Sequence, residues 1–348
     1  NLTGTVNSPG IVTATTFVST NGSLSNFYAG YQAGSSNTGA LYNTGVGLNA
    51  LQDITSGDYN TVFGANSGQN ITTGWQNTII GSYTGDTLTT GYQNVLVGVN
   101  AGGGLESARI RNTFVGTNSG QASYNGDYTT SLGAYSSYDA EGDYVVSVGA
   151  YAGYSNNGSG TVHIGAYSGY NSDNADYSIM MGYTAGYYME GNYNVALGYR
   201  AMYNHDGGGD YNIAIGYDSK YFDSGDSAYN IAIGYRAIYG NSNYTDGDYN
   251  IALGYQAGYS LRSGSYNLLL GNGAGDSITT GSNNVVIVAG QSSTVDVDSA
   301  TGDGQLIIGY GSTTWVKGGS NVELNYEGSK KLETTAGGVT VTGNVTAT

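Results

Sequence analysis

The chain has 348 residues, of which 60 are glycine and 1 is proline; 25 acidic against 9 basic side chains give a formal net charge of −16, and cysteine is absent. Without a basic stripe the chain is not a nucleic-acid binder, no apolar run approaches the ~20 residues of a membrane-spanning helix, and disulfide frameworks and thiolate metal sites are unavailable. Glycine this abundant without a Gly-X-Y period excludes collagen.

Residues 1–25, with Gly10-Ile11-Val12-Thr13-Ala14-Thr15-Thr16-Phe17-Val18 at their centre, form an alternating β-rich lead-in without the basic-then-apolar pattern of a secretion signal. From residue 26 to 311 one phrase returns. It is clearest in Asn194-Val195-Ala196-Leu197-Gly198-Tyr199, Asn212-Ile213-Ala214-Ile215-Gly216-Tyr217, Asn230-Ile231-Ala232-Ile233-Gly234-Tyr235 and Asn250-Ile251-Ala252-Leu253-Gly254-Tyr255. The central glycine recurs from Gly30 to Gly271, Val288 replaces it once, and Gly309 closes the series; the steps are 16 to 18 residues, apart from 20 before Gly254 and 21 before Gly309. Such a period is the mark of a chain that builds one coil upon another.

Within each unit, the residue before the glycine is apolar. The residue three before it is β-branched in fourteen of seventeen units, from Thr44 and Thr61 to Val285. Stiff β-branched side chains at a spacing of two predict a strand, and apolar residues on both its faces predict cover on both. The column three after the glycine is small, as in Ala50, Ser67, Ala201 and Ala257, which points to a second short strand packed tightly against the first. The glycine itself reads as a bend with positive φ or a close backbone approach, and loops such as Gly207-Gly208-Gly209-Asp210 are turn chemistry. The expected fold is therefore all-β, a parallel β-solenoid (β-roll) of about seventeen coils of ~17 residues. At ~4.8 Å per rung it makes a rod of roughly 80 Å.

The phrase Asn-x-Ala-Ile/Leu-Gly-Tyr-x-Ala resembles the head repeats of trimeric autotransporter adhesins of the YadA type, and still more the longer repeats of bacteriophage tail fibres. The resemblance covers about residues 26 to 311. It implies a left-handed coil, an elongated homotrimer whose neighbours cover the outer strand face, and a non-enzymatic fibre that attaches to a cell-surface glycan or protein receptor. Its setting would be extracellular, on a virion or a cell surface. A bacterial surface adhesin or a secreted filament, extended end to end, is the alternative with the same fold.

Two further columns stand out. Tyrosine recurs five before the glycine (Tyr59, Tyr128, Tyr144, Tyr177, Tyr193, Tyr211, Tyr229, Tyr249, Tyr266), and asparagine recurs four before it (Asn43, Asn60, Asn77, Asn94, Asn112, Asn194, Asn212, Asn230, Asn250, Asn267, Asn284). Stacked in register they make ladders; alternatively the tyrosines offer ring faces to sugars. Asp206, Asp210, Asp226, Asp246 and Asp248 have the ligand hardness calcium needs, but the fixed nonapeptide spacing of calcium-binding β-rolls is missing, so solvated turns and no cofactor are expected. His163 in a strand and His205 in a loop have no Gly-x-Ser-x-Gly or metal-ligand company, and no catalytic residue is assigned. Sequons at Asn1, Asn21, Asn70, Asn157, Asn243 and Asn344 follow from composition as readily as from glycosylation. Stacked threonines (Thr61, Thr78, Thr113, Thr130) raise ice or mineral binding, against which their single column is read as core.

Residues 312–348 alternate strongly and predict a hairpin-like β end module. This stretch resembles the segment that precedes an endosialidase-type intramolecular chaperone domain in phage fibres, which implies a processed end near Thr348.

Overall fold

The computed structural model describes residues 26–105, 108–123, 126–223, 225–240, 247–289, 299–311, 313–318, 322–326, 329–335 and 338–343. The lead-in 1–25 and Thr348 lie outside the described residues.

Seventeen short strands, from Phe27–Ala29 to Leu306–Tyr310, pair in parallel, each with the next in the chain. Register is one repeat per rung: Val195, Ala196 and Leu197 lie beside Ile213, Ala214 and Ile215, which lie beside Ile231, Ala232 and Ile233. A parallel β-solenoid follows. Fifteen of the strands have only three residues, and the last two, Val285–Ala289 and Leu306–Tyr310, lengthen to five.

Each unit has a single strand of this sheet; among the described residues the second strand expected after the glycine forms only in two neighbouring units, where Asn204–His205 pairs in parallel with Phe222–Asp223, and elsewhere turns replace it. The alanine three beyond the glycine donates back to the glycine carbonyl (Ala201 N to Gly198 O, 3.4 Å), and the next residues bond along the axis instead, Met202 N to Ser219 O at 3.0 Å and Asn204 N to Tyr221 O at 3.0 Å. The corners are made by left-handed residues that are mostly not glycine. In the rung of Gly198 they are Tyr193 (φ 59), Arg200 (φ 51) and Met202 (φ 49). Each costs about 1–2 kcal/mol. That cost is offset because even the turn amides find partners in the neighbouring rungs, at about 0.5–1.5 kcal/mol net per bond.

The central glycines have both properties anticipated for them. Gly198, Gly216, Gly234 and Gly254 hold φ of 136, 135, 136 and 144, a region open to glycine alone. A Cβ on Gly216 would overlap the carbonyl of Gly234 in the rung above.

The interior is filled from two sides. The middle strand residue points inward (Val62, Ile79, Leu96, Phe114), and facing it across the coil is a column seven beyond the glycine (Ile54, Ile71, Leu88, Leu105, Leu261, Ile278), all buried. The small column (Ala50, Ala101, Ala201, Ala257) is buried between them. The β-branched column is not part of this interior. Thr61 is exposed and Thr78, Thr113 and Thr130 are half-buried on the outer face, because strand side chains alternate and the middle position occupies the inside.

Beyond the last rung the sheet turns antiparallel. Thr313–Gly318 pairs with Leu306–Tyr310, followed by Val322–Tyr326, Ser329–Thr335 and Gly338–Val341. The alternating end segment is thus a meander continuous with the solenoid sheet.

Two substitutions separate backbone approach from φ strain. Gly216→Ala should lower unfolding free energy by about 3 kcal/mol or more. Gly304→Ala, at φ 66 but with nothing within 4 Å of the added Cβ, should cost only about 1 kcal/mol. Chemical denaturation followed by circular dichroism measures both; equal losses would contradict the close-approach role.

Candidate functional site

Three ladders run along the rod. From Asn43 to Asn284 the asparagines four before the glycine are all buried. Asn60 donates its backbone N–H and its Nδ2 to Asn43 Oδ1 (2.8 and 3.0 Å), and Nδ2 also reaches Gly74 O (2.9 Å). The pattern repeats at Asn250, Asn267 and Asn284. A buried amide satisfied this fully stabilises, whereas a half-satisfied one costs about 1–3 kcal/mol.

The second ladder, six before the glycine, was not separated from general turn composition in the sequence. Its carboxylates and hydroxyls accept the backbone N–H one rung below. Leu41 N donates to Asp58 Oδ1 (2.7 Å), Asn192 N to Asp210 Oδ1 (2.6 Å), Ala228 N to Asp248 Oδ1 (2.8 Å) and Ser265 N to Ser282 Oγ (3.1 Å). Asp210 and Asp248, weighed above as calcium ligands, therefore act as rung connectors. Asp206 and Asp226 are exposed, and Asp246 lies outside the described residues. Among the described residues no three His, Cys, Asp or Glu side chains gather in a metal-binding group.

The third set is aromatic. Tyr177, Tyr193, Tyr211, Tyr229, Tyr249 and Tyr266 stack in one row with centroids 4.8 to 5.3 Å apart and planes within 13°. A second row runs through Tyr183, Tyr199, Tyr217, Tyr235 and Tyr255. A third row of eight begins at Tyr138 and ends at Tyr259. Stacking and exposure coexist: Tyr177 and Tyr266 are each 59% exposed. Because the faces lie against neighbouring rings, it is mainly edges that meet solvent, and free faces are confined to row ends.

Between the second and third rows runs a short charged column that sequence reading passed over. Asp218 is fully buried and receives Arg200 in a fork, Nε to Oδ1 at 2.7 Å and Nη2 to Oδ2 at 2.8 Å, with Arg236 Nε at 3.3 Å from Oδ2. Arg200 lies over Tyr199 and Tyr221, and Arg236 over Tyr235 and Tyr239. Despite desolvation, the Asp218 hydrogen bond and charge hold Arg200 well above the usual guanidinium range. The signal in the sequence was three alternating charges at one repeat position, spaced by 18 residues.

Both histidines are buried. His163 is buried in Val162–Ile164, its ring filling the space that side chains at Gly153 and Gly169 would need. A hydroxyl chain runs to it: Ser131 Oγ to Ser137 Oγ (2.7 Å), to Ser147 Oγ (2.9 Å), to His163 Nδ1 (3.2 Å), while Nε2 has no partner. His205 is buried within the short strand Asn204–His205 rather than in a loop, with Nδ1 3.2 Å from Glu190 O. Of the sequons, Asn70 and Asn157 are exposed; Asn1, Asn21, Asn243 and Asn344 lie outside the described residues.

No protein-family model, curated protein or solved structure matches the chain. Among the described residues no helix is long and apolar enough to cross a membrane.

Burial holds His163 down at about 3, against 6.5 for the ordinary imidazole. The unfolded chain takes up that proton first, so stability is complete above pH 6.5 and falls toward pH 3, at about 1.4 kcal/mol per pH unit at most. His163→Leu should flatten this part of the pH profile in thermal melts; an unchanged acid slope would contradict the buried neutral ring.

Proposed function

We propose that the chain is the shaft of an extracellular attachment fibre. Three copies stand side by side with parallel axes and a left-handed coil, as a virion tail fibre that carries its particle to a bacterial surface. The fibre acts by binding a glycan or protein receptor, without catalysis.

The observation behind this reading is the outer face of the parallel sheet. One apolar column, just before the glycine, runs along the array with Phe63, Ile80, Leu132, Met181 and Leu253 exposed in the single chain, and Val95, Ile179 and Ile251 are exposed three before the glycine, a position held by threonine at Thr44, Thr61, Thr78, Thr113 and Thr130. A contiguous exposed apolar stripe of this kind marks an interaction surface. A partner that covers it along its length has to repeat at about 4.8 Å. A parallel copy of the same chain meets that condition. The resemblance to trimeric fibre repeats supports the same assembly, and the stiffness of a rung-stacked rod suits a structure that must project a contact surface away from its base.

Paired Ile213→Glu and Ile231→Glu substitutions should preserve the far-ultraviolet spectrum while reducing the sedimenting mass from three chains to one. A wild-type chain that sediments as a monomer at micromolar concentration would remove the assembly. For attachment, purified fibre should compete with intact particles for adsorption to cells, and no adsorption to any surface in a bacterial panel would remove the receptor role.

A further inference from the structure

A chain with no cysteine has no disulfide to tie one rung to the next. It does hold long rows of tyrosine whose rings meet face to face. In the row from Tyr177 to Tyr266, rings lie 4.8 to 5.3 Å apart with planes 1° to 13° from parallel, and every member is exposed. Rings lie 4.8 to 5.5 Å apart from Tyr183 to Tyr255 and 4.9 to 5.3 Å apart from Tyr138 to Tyr259. Adjacent phenols are thus held together before any reaction, which removes the entropic cost of bringing them into contact.

We propose that these rows are sites of oxidative dityrosine formation, in which a peroxidase using hydrogen peroxide joins successive rungs of the same chain by carbon–carbon bonds. Each of two neighbouring tyrosines loses one electron and its phenolic proton, giving two phenoxyl radicals. A bond forms between the ring carbons ortho to the two oxygens. The hydrogens on those carbons then move to the oxygens and restore both aromatic rings and both hydroxyls. Two protons and two electrons leave in total, and one hydrogen peroxide accepts them as two waters.

The register dictates which pairs form. Tyr229 has Tyr211 on one side (5.1 Å) and Tyr249 on the other (4.8 Å), so its links join residues one repeat apart. Tyr31 and Tyr83 provide the contrast, since they are 73% and 51% exposed and meet no other ring among the described residues. If exposure alone governed the reaction they would be among the first linked; if stacking governs it they stay outside the intrachain links. Burial and neighbouring phenols push Tyr187 up to about 12, and Tyr211 and Tyr249 are raised above the ordinary phenol range. These three phenols are therefore protonated at neutral pH, and their oxidation has to release a proton to water at the exposed edge. The proposal stands independently of the attachment reading, because it concerns rungs within one chain.

The test is treatment of the purified protein with peroxidase and hydrogen peroxide, followed by peptide mass spectrometry and dityrosine fluorescence. Expected are links at Tyr193–Tyr211, Tyr211–Tyr229, Tyr229–Tyr249 and Tyr249–Tyr266, each lighter by two hydrogens, and a higher thermal midpoint. In Tyr229→Phe, which keeps the stack but cannot form the radical, the two links through position 229 should vanish while Tyr193–Tyr211 and Tyr249–Tyr266 persist. The same treatment in denaturant should scramble the pairing. Intrachain links through Tyr31 or Tyr83 as frequent as those in the rows, links between rings more than one repeat apart in the folded protein, or oxygen addition without any link would each overturn the proposal.

Discussion

Everything in the architecture depends on how closely one backbone lies upon the next at the central glycine. At Gly198, Gly216, Gly234 and Gly254 a Cβ would overlap the carbonyl of the following rung, and the backbone there takes a φ that side chains do not tolerate. The constraint acts once per coil from Gly30 to Gly271 and thereby sets the register. Given that register, equivalent positions lie directly above one another, and every repeat column becomes a physical ladder.

The ladders differ in what they contribute. The asparagine column satisfies buried amides, and the column of aspartate, asparagine and serine six before the glycine satisfies turn amides at the rod's surface. Between them they answer for many of the backbone groups that three-residue strands leave unpaired, and so allow left-handed corners at tyrosine, arginine and methionine. The interior is less uniform. Around Ser131, Ser147 and His163 the apolar column turns polar, and the asparagine column gives way to Thr129, Val145, Thr161 and Ser178. Apolar clusters gather on either side of this stretch, one from Ala40 to Phe114 and one from Ala175 to Ala214. The tyrosine row from Tyr138 spans that stretch and gives the rungs stacked contacts at the surface where the interior has fewest apolar ones.

Much of the fold was legible because repetition turns one-dimensional spacing into three-dimensional neighbourhood. The glycine period, the parallel strand before the glycine and the asparagine ladder all follow from alignment of like with like. The second strand did not follow, since the small column after the glycine fits a tight turn as well as a packed strand. Left-handed conformation at Tyr193 or Arg200 leaves no compositional trace comparable to glycine's. The inner and outer faces were also confused. Both flanking columns are apolar, and only geometry shows that Val62 and Ala214 point inward while Thr61 and Ile213 do not. Of the candidate site, the tyrosine rows could be read from position, but not that stacking leaves mainly their edges to solvent. The connectors at Asp210 and Asp248 looked like calcium ligands because carboxylate hardness is visible in a sequence and an N–H donor one rung away is not.

Electron cryomicroscopy of the isolated protein, read for its axial repeat, tests the stacked-coil architecture most directly. In-register coils predict a straight rod of roughly 80 Å in the repeat region, with density layers every 4.8 Å or so along its length. A compact particle, or a rod without that axial spacing, would contradict it.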